Sequence, residues 1–209
     1  MKKLLGSFLL FCACAFAESD GIFLGGGFGI HGAKQEIKGS IGNSNIKAIN
    51  DTADISGGIY FGYKQMFNEN SGWRVYFNTE TNQVEVEKPN GKTGFRMYEI
   101  VGYNVDFLLN FTQNFGFFVG ANFAAIIWDK ELWSVDIYND DDEYGTYIAA
   151  QLGLRAIFGE NERHSVELFG KVPFTKTIFE YELNGVKIAQ MKLKQSYSVF
   201  LRYIYTFSY

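Results

Sequence analysis

The chain has 209 residues, 19 Lys and Arg against 23 Asp and Glu, and a formal net charge of −4. No basic patch suits nucleic acid, and beyond residue 17 no apolar run approaches the roughly 20 residues of a membrane-spanning helix. Its 23 glycines, 13 tyrosines and 21 phenylalanines, with only two prolines, suit an all-β protein.

Lys2 and Lys3 open the chain, an apolar segment runs from Leu4 to Phe16, and Ala15-Phe16-Ala17 forms a small-x-small cleavage site. Residues 1–17 are expected to be a cleaved export signal, and residues 18–209 the mature domain. Cys12 and Cys14 both lie within the signal, so cleavage leaves no thiol, disulfide or cysteine metal ligand. Phe11 stands before Cys12 where a lipoprotein signal would need a small residue. Cleavage removes two lysines and no acid, which brings the mature chain to about −6.

Gly21 to His31 predicts the first strand. Ile22, Leu24, Gly26, Phe28 and Ile30 share one face, and Phe23, Gly25, Gly27, Gly29 and His31 the other. A face so nearly bare suits the inside of a narrow barrel. Gly27-Phe28-Gly29-Ile30-His31-Gly32 is formally a G-x-G-x-x-G, but the polar stretch from Lys34 to Asn50 has no helical stripe to complete a dinucleotide site.

Alternation returns from Ile55 to Phe67, and Asn68 to Gly72 reads as a tight turn. Further strands are predicted from Trp73 to about Thr81, Phe95 to Leu109, Phe115 to Trp128, Tyr144 to Phe158 and His164 to Phe174. The last runs from Gln195 to Tyr209, with Tyr197, Val199, Leu201, Tyr203, Tyr205, Phe207 and Tyr209 on one wall. The other wall carries Ser198, Phe200, Arg202, Ile204, Thr206 and Ser208.

The count is eight strands, joined alternately by long and short connections. That asymmetry predicts a transmembrane antiparallel up-and-down β-barrel in the outer membrane, with brief periplasmic turns and four larger outer loops. An even count places both mature termini in the periplasm. Apolar residues should face lipid, and Lys64, Arg74, Glu80, Asp106, Arg155, Glu167, Lys171 and Arg202 should face inward as a paired lumen network. Unpaired charge there would cost several kcal/mol per group. The closing strand, through Tyr203, Tyr205, Phe207 and Tyr209, is expected to serve as the barrel-assembly signal.

Four stretches resemble the Helicobacter outer membrane protein family. They are Gly62-Tyr63-Lys64-Gln65 before the turn and Trp73; Leu152-Gly153-Leu154-Arg155; Val166-Glu167-Leu168 with Lys171-Val172-Pro173; and Tyr197-Ser198-Val199 with Leu201, Tyr203 and Tyr205. The resemblance implies an outer-membrane barrel in a family that includes adhesins and porins. Adhesin members insert a large cysteine-bearing surface domain near the start of the barrel. This chain has only Gly32 to Asp54 there, which sets it apart from adhesin-type receptor binding. The assembly signal of such barrels usually ends in an aromatic residue, most often phenylalanine, so Tyr209 resembles it with one departure.

Few residues suggest chemistry. His31 and His164 fall at opposite ends of the predicted barrel, which disfavours a metal pair. His164, Ser165 and Glu167 invite comparison with a lipid-deacylating triad, but adjacent strand residues point to opposite faces. Asp140-Asp141-Asp142-Glu143 could hold calcium, yet without glycine-centred ligand spacing it reads as a solvated loop. Trp133 and Tyr138 could meet a partner or cover the barrel rim.

The expected function is a structural or surface-interaction barrel, not an enzyme, with no cofactor or metal. A narrow porin-like channel is the alternative, and a lipid-modifying enzyme the second. Expected partners are outer-membrane lipid and lipopolysaccharide, the barrel-assembly machinery, and a surface or host ligand at the outer loops.

Overall fold

The structure is a computed structural model that describes residues 18–41, 44–87, 93–128, 144–183 and 186–207. The proposed cleavage site at Ala15 and Ala17, the residues Trp133, Tyr138 and Asp140 to Glu143, and the terminal Tyr209 lie outside the described residues.

The strands are β1 (Gly21–Ile41), β2 (Ser44–Asn68), β3 (Ser71–Glu87), β4 (Thr93–Asn110), β5 (Phe115–Trp128), β6 (Tyr144–Phe158), β7 (His164–Pro173), β8 (Thr177–Leu183) and β9 (Val186–Phe207). From β1 to β7 each pairs antiparallel with the next, β7 pairs with β9, and β9 returns to β1. The closing seam runs from Ile22 opposite Phe207 to Gly32 opposite Tyr197, then shifts so that Ala33 faces Gln195. Among the described residues β8 is held only by β9, and it continues β7 past a break at residues 174–176. The closed wall therefore has eight strands, an up-and-down barrel. In hydrocarbon a sheet leaves no backbone N–H or C=O unpaired only by closing into such a ring.

Side-chain alternation sets inside and outside. On β1, Leu24, Phe28 and Ile30 face outward while Phe23 and His31 are buried; on β9, Tyr197, Val199, Leu201, Tyr203 and Phe207 face outward while Ser198, Phe200, Arg202, Ile204 and Thr206 are buried. The outward apolar row of β1 spans residues 22–30, close to the roughly 9–11 that a tilted strand needs to cross a bilayer. At the end with short turns, His164 stacks on Phe158 at 5.6 Å and meets the ring of Tyr205 at 5.0 Å, part of an aromatic rim.

The strands at the other end are longer than their alternation indicates. β1 and β2 keep pairing to Ile41 opposite Ser44, across the stretch expected as a polar connection, and β3 and β4 pair out to Glu87 opposite Thr93. The expected connection from Thr175 to Lys194 contains β8 and the start of β9. Beyond the membrane both faces of a hairpin meet water, so its ladder persists while the two-residue apolar signal fades.

The bare face of β1 makes room at the seam. Gly25, Gly27 and Gly29 lie opposite Ile204, Arg202 and Phe200, and a Cβ on Gly27 would stand 2.7 Å from both the Leu201 carbonyl oxygen and the Arg202 Cβ. The expected turn after β2 forms at Glu69 and Asn70, where Asn68 Oδ1 accepts from the backbone N–H groups of Asn70 and Ser71, each at 2.9 Å.

Candidate functional site

The eight predicted lumen residues are all buried, none more than 4% exposed. Register, which single-strand alternation does not show, sets opposite charges side by side. Arg74 on β3 faces Asp106 on β4, and Glu167 on β7 faces Arg155 on β6 and Arg202 on β9.

Glu167 is the centre. Arg74 donates to both of its oxygens, Nη1 to Oε1 at 2.7 Å and Nη2 to Oε2 at 3.0 Å. Arg155 Nε donates to Oε1 at 3.0 Å, and Arg202 Nε to Oε2 at 2.7 Å. One carboxylate thus lies among three guanidinium groups. Arg74 Nε also donates to Asp106 Oδ2 at 2.7 Å, and Gln151 Nε2 to Asp106 Oδ1. Higher in the barrel, Lys171 pairs with Glu80, which also accepts from the Tyr60 hydroxyl at 3.3 Å.

The inside is not solely polar: the inner walls read from alternation carry Phe23, Phe200 and Ile204 as well as charge, and these are buried. Phe23, Tyr60, Tyr76, Leu108, Phe118, Phe169, Phe200 and Ile204 cluster there. Arg202 lies 4.3 Å from the Phe169 ring centroid, 5.0 Å from those of Tyr60 and Phe118, and 5.1 Å from that of Tyr76. Arg74 is 4.5 Å from the Phe118 centroid. A guanidinium edge can bind carboxylates while its face stacks on rings, so Arg74 and Arg202 each meet both kinds of neighbour at once.

The predicted set held five bases, Lys64, Arg74, Arg155, Lys171 and Arg202, against three acids. Glu18 supplies a further acid. Placed before β1, its buried carboxylate takes Lys64 at 2.6 Å, Arg155, and Asn110 Nδ2 at 3.1 Å. The next residues anchor the same entrance, Ser19 donating to the Asn161 carbonyl and Asp20 accepting from the Met66 N–H. Burial alone would raise the Glu18 pKa, but Arg155 and Lys64 together outweigh it and hold it down at about 2. Alternation could not reveal Glu18, because it stands outside any strand; the excess of inward bases was the available signal.

Toward the long hairpins the lumen carries neutral polar groups. His31 Nδ1 shares a hydrogen bond with Ser56 Oγ at 2.8 Å, Ser56 donates to Asn82 at 2.6 Å, and His31 meets the Tyr98 ring edge-on at 5.7 Å. Asn104 and Asn122 donate to Asn78 Oδ1 at 2.7 and 3.2 Å. His164 instead bonds the Tyr203 hydroxyl at 2.6 Å on the outer wall, while Ser165 donates to Glu167 at 3.4 Å inside. The three members of the compared triad are therefore split across the wall. Among the described residues no group of three or more His, Cys, Asp or Glu side chains is placed to hold a metal.

The pattern described for Helicobacter outer membrane proteins matches residues 58–207, most of the chain. The chain belongs to this family. Two solved outer membrane proteins share its fold. Outer membrane protein OprG from Pseudomonas aeruginosa is similar with a TM-score of 0.58 and 14% identity, covering 92% of this chain and 99% of that one. Outer membrane protein AlkL, solved in lipid bilayers, gives 0.51 and 12%, covering 94% of each chain. At such identities the likeness is one of fold. No curated protein matches the chain.

Proposed function

We propose that this outer-membrane barrel is a non-catalytic structural or surface-interaction element whose lumen is closed to through-flow. The observation that carries the reading is Glu167, 0% exposed and bonded by Arg74, Arg155 and Arg202. Those residues project from four strands, and aromatic rings fill the space around them. Glu18, locked to Lys64 and Arg155, adds a stopper at the short-turn end. A conducting path would have to break ion pairs that cost several kcal/mol each to separate in a dry interior. Function then falls to the outside: lipid along the wall, and a surface or host ligand at the hairpins. The short turns and both mature termini face the periplasm, the hairpins face outward, and β9 is what the assembly machinery engages.

Planar-bilayer recording of the purified barrel tests this. No steady conductance is expected, and a stable ohmic step would favour the narrow channel. One observation favours that second reading: Asn78 Nδ2, Asn104 Oδ1 and Asn122 Oδ1 are buried without a hydrogen-bond partner among the described residues, a polar lining of the kind that holds water.

A further inference from the structure

The wall of the barrel is not evenly zipped. β6 pairs with β7 as far as Ala149 opposite Pro173, after which Phe174 N–H bonds the Ile148 carbonyl at 2.8 Å and Ile148 N–H bonds Thr175 Oγ1 at 3.2 Å. Past that point, among the described residues, β8 pairs with β9 alone and presents no ladder to β6. β9 leaves β7 at Ser198 and joins β8 at Leu193. Beside this break its pairing with β1 slips by one residue. The result is a cavity of about 520 Å³ lined by Thr146, Phe174, Thr175, Lys176 and Lys194, within the usual range for a small-ligand site.

Its chemistry changes sharply with height. The outward row Leu168, Val172, Phe174 is exposed and apolar, Phe174 at 68%, and the next outward residue is Lys176. β9 changes likewise from Tyr197 to Lys194, and β1 from Ile30 to Lys34. Three strands thus change from greasy to cationic at one level, where a bilayer changes from acyl chain to headgroup. Lys34 and Lys194 are direct cross-strand partners, both exposed, a like-charge pairing that destabilises a sheet unless an anion sits between them. Of the neighbouring acids, Asp51 on β2 is in register with Lys34 and Glu36 with Lys192, whereas the β1 residue in register with Lys194 is Lys34 itself. Among the described residues neither Lys176 nor Lys194 has an acidic partner.

We propose that this notch binds the phosphorylated headgroup of an outer-leaflet glycolipid, with phosphate on Lys176 and Lys194 and the adjoining chain against Phe174. The site requires the hairpins to face outward, as in the functional reading above, but not a sealed lumen.

The full chain in nanodiscs, titrated with diphosphorylated lipid A and with its dephosphorylated form, tests the site by native mass spectrometry. The phosphorylated lipid should be retained on the order of tenfold better. The K176Q/K194Q variant, checked for folding by its heat-dependent gel shift, should lose about fivefold for each lysine. Equal retention of the two lipids, an unchanged double variant, or full displacement by millimolar inorganic phosphate would each overturn the proposal. Binding by purified protein does not depend on topology. Failure here therefore counts against the notch, whereas labelling of the hairpins on whole cells addresses orientation alone.

Discussion

Replacing Glu167 with glutamine removes the one carboxylate that three arginines share, at nearly constant volume. In the wild type Arg74 has Asp106 as a second acid at 2.7 Å, Arg155 has Glu18, and Arg202 has Asp106 only at 3.6 Å. After E167Q those same cations remain, fully buried, with one negative charge fewer. Breaking one buried ion pair typically costs about 3–5 kcal/mol. The amide still accepts one or two hydrogen bonds, and Arg74 and Arg155 keep other partners, so a loss of roughly 3 kcal/mol is expected. Urea unfolding in detergent, followed by tryptophan fluorescence and the heat-dependent gel shift, would measure it. The exposed turn carboxylate Glu69 provides the control, E69Q, expected within about 0.5 kcal/mol of wild type. An E167Q loss below about 1 kcal/mol would show that water screens the cluster. The lumen would then be wet at its narrowest charge layer, and the sealed-barrel reading would fail with it.

Glu18 makes stability depend on pH. Its folded pKa of about 2 lies below the ordinary 4.5, so its stabilising contribution is present above pH 4.5 and is lost as pH falls toward 2. The size is on the order of 3 kcal/mol. The stability gap between wild type and E18Q should therefore narrow steadily from pH 5 to pH 2.5, and a gap independent of pH would contradict the lumen placement of Glu18. At the seam, G27V sets a side chain against the Leu201 carbonyl and Arg202, and should cost about 3 kcal/mol or abolish the gel shift. G26V, whose Cβ would have no heavy atom nearer than 4.0 Å, should fold normally. Similar behaviour of the two variants would refute the assignment of inward and outward faces on β1.

How far the sequence could be read depended on which medium each residue meets. Where one face of a strand touches lipid and the other the lumen, as from Ile22 to His31 or Tyr197 to Phe207, the two environments impose opposite preferences and alternation is strong. Where the ladder continues past the apolar rows, as where residues 34–41 pair with residues 44–51, the sequence carries no two-residue apolar period, and a paired ladder looks like a polar loop. The eight lumen charges stood out as polar residues on the inner faces of apolar strands. Their partners did not, because Arg74 and Glu167 are 93 residues apart and meet only through the register of every strand between them. The notch was hidden for a related reason. Pro173 and Phe174 read as an ordinary strand end, and only the ladder shows that β8 joins β9 and not β6.

The charge network and the closure of the barrel are physically one event. Arg202 lies on the last strand, with Gly27 of β1 on one side and Glu167 of β7 on the other. Until β9 is inserted, Glu167 lacks Arg202, the Tyr76 hydroxyl lacks the Arg202 Nη1 donor 2.9 Å away, and the bare face of β1 has nothing to accommodate. An open sheet would expose an edge to hydrocarbon and leave charge under-compensated in the lumen, two penalties that a single strand relieves together. Such coupling makes partly closed states costly, which favours an all-or-none assembly completed by β9. It also explains the distribution of side chains at the seam: the arriving strand carries the bulk, Phe200, Arg202 and Ile204, and the receiving strand carries glycine.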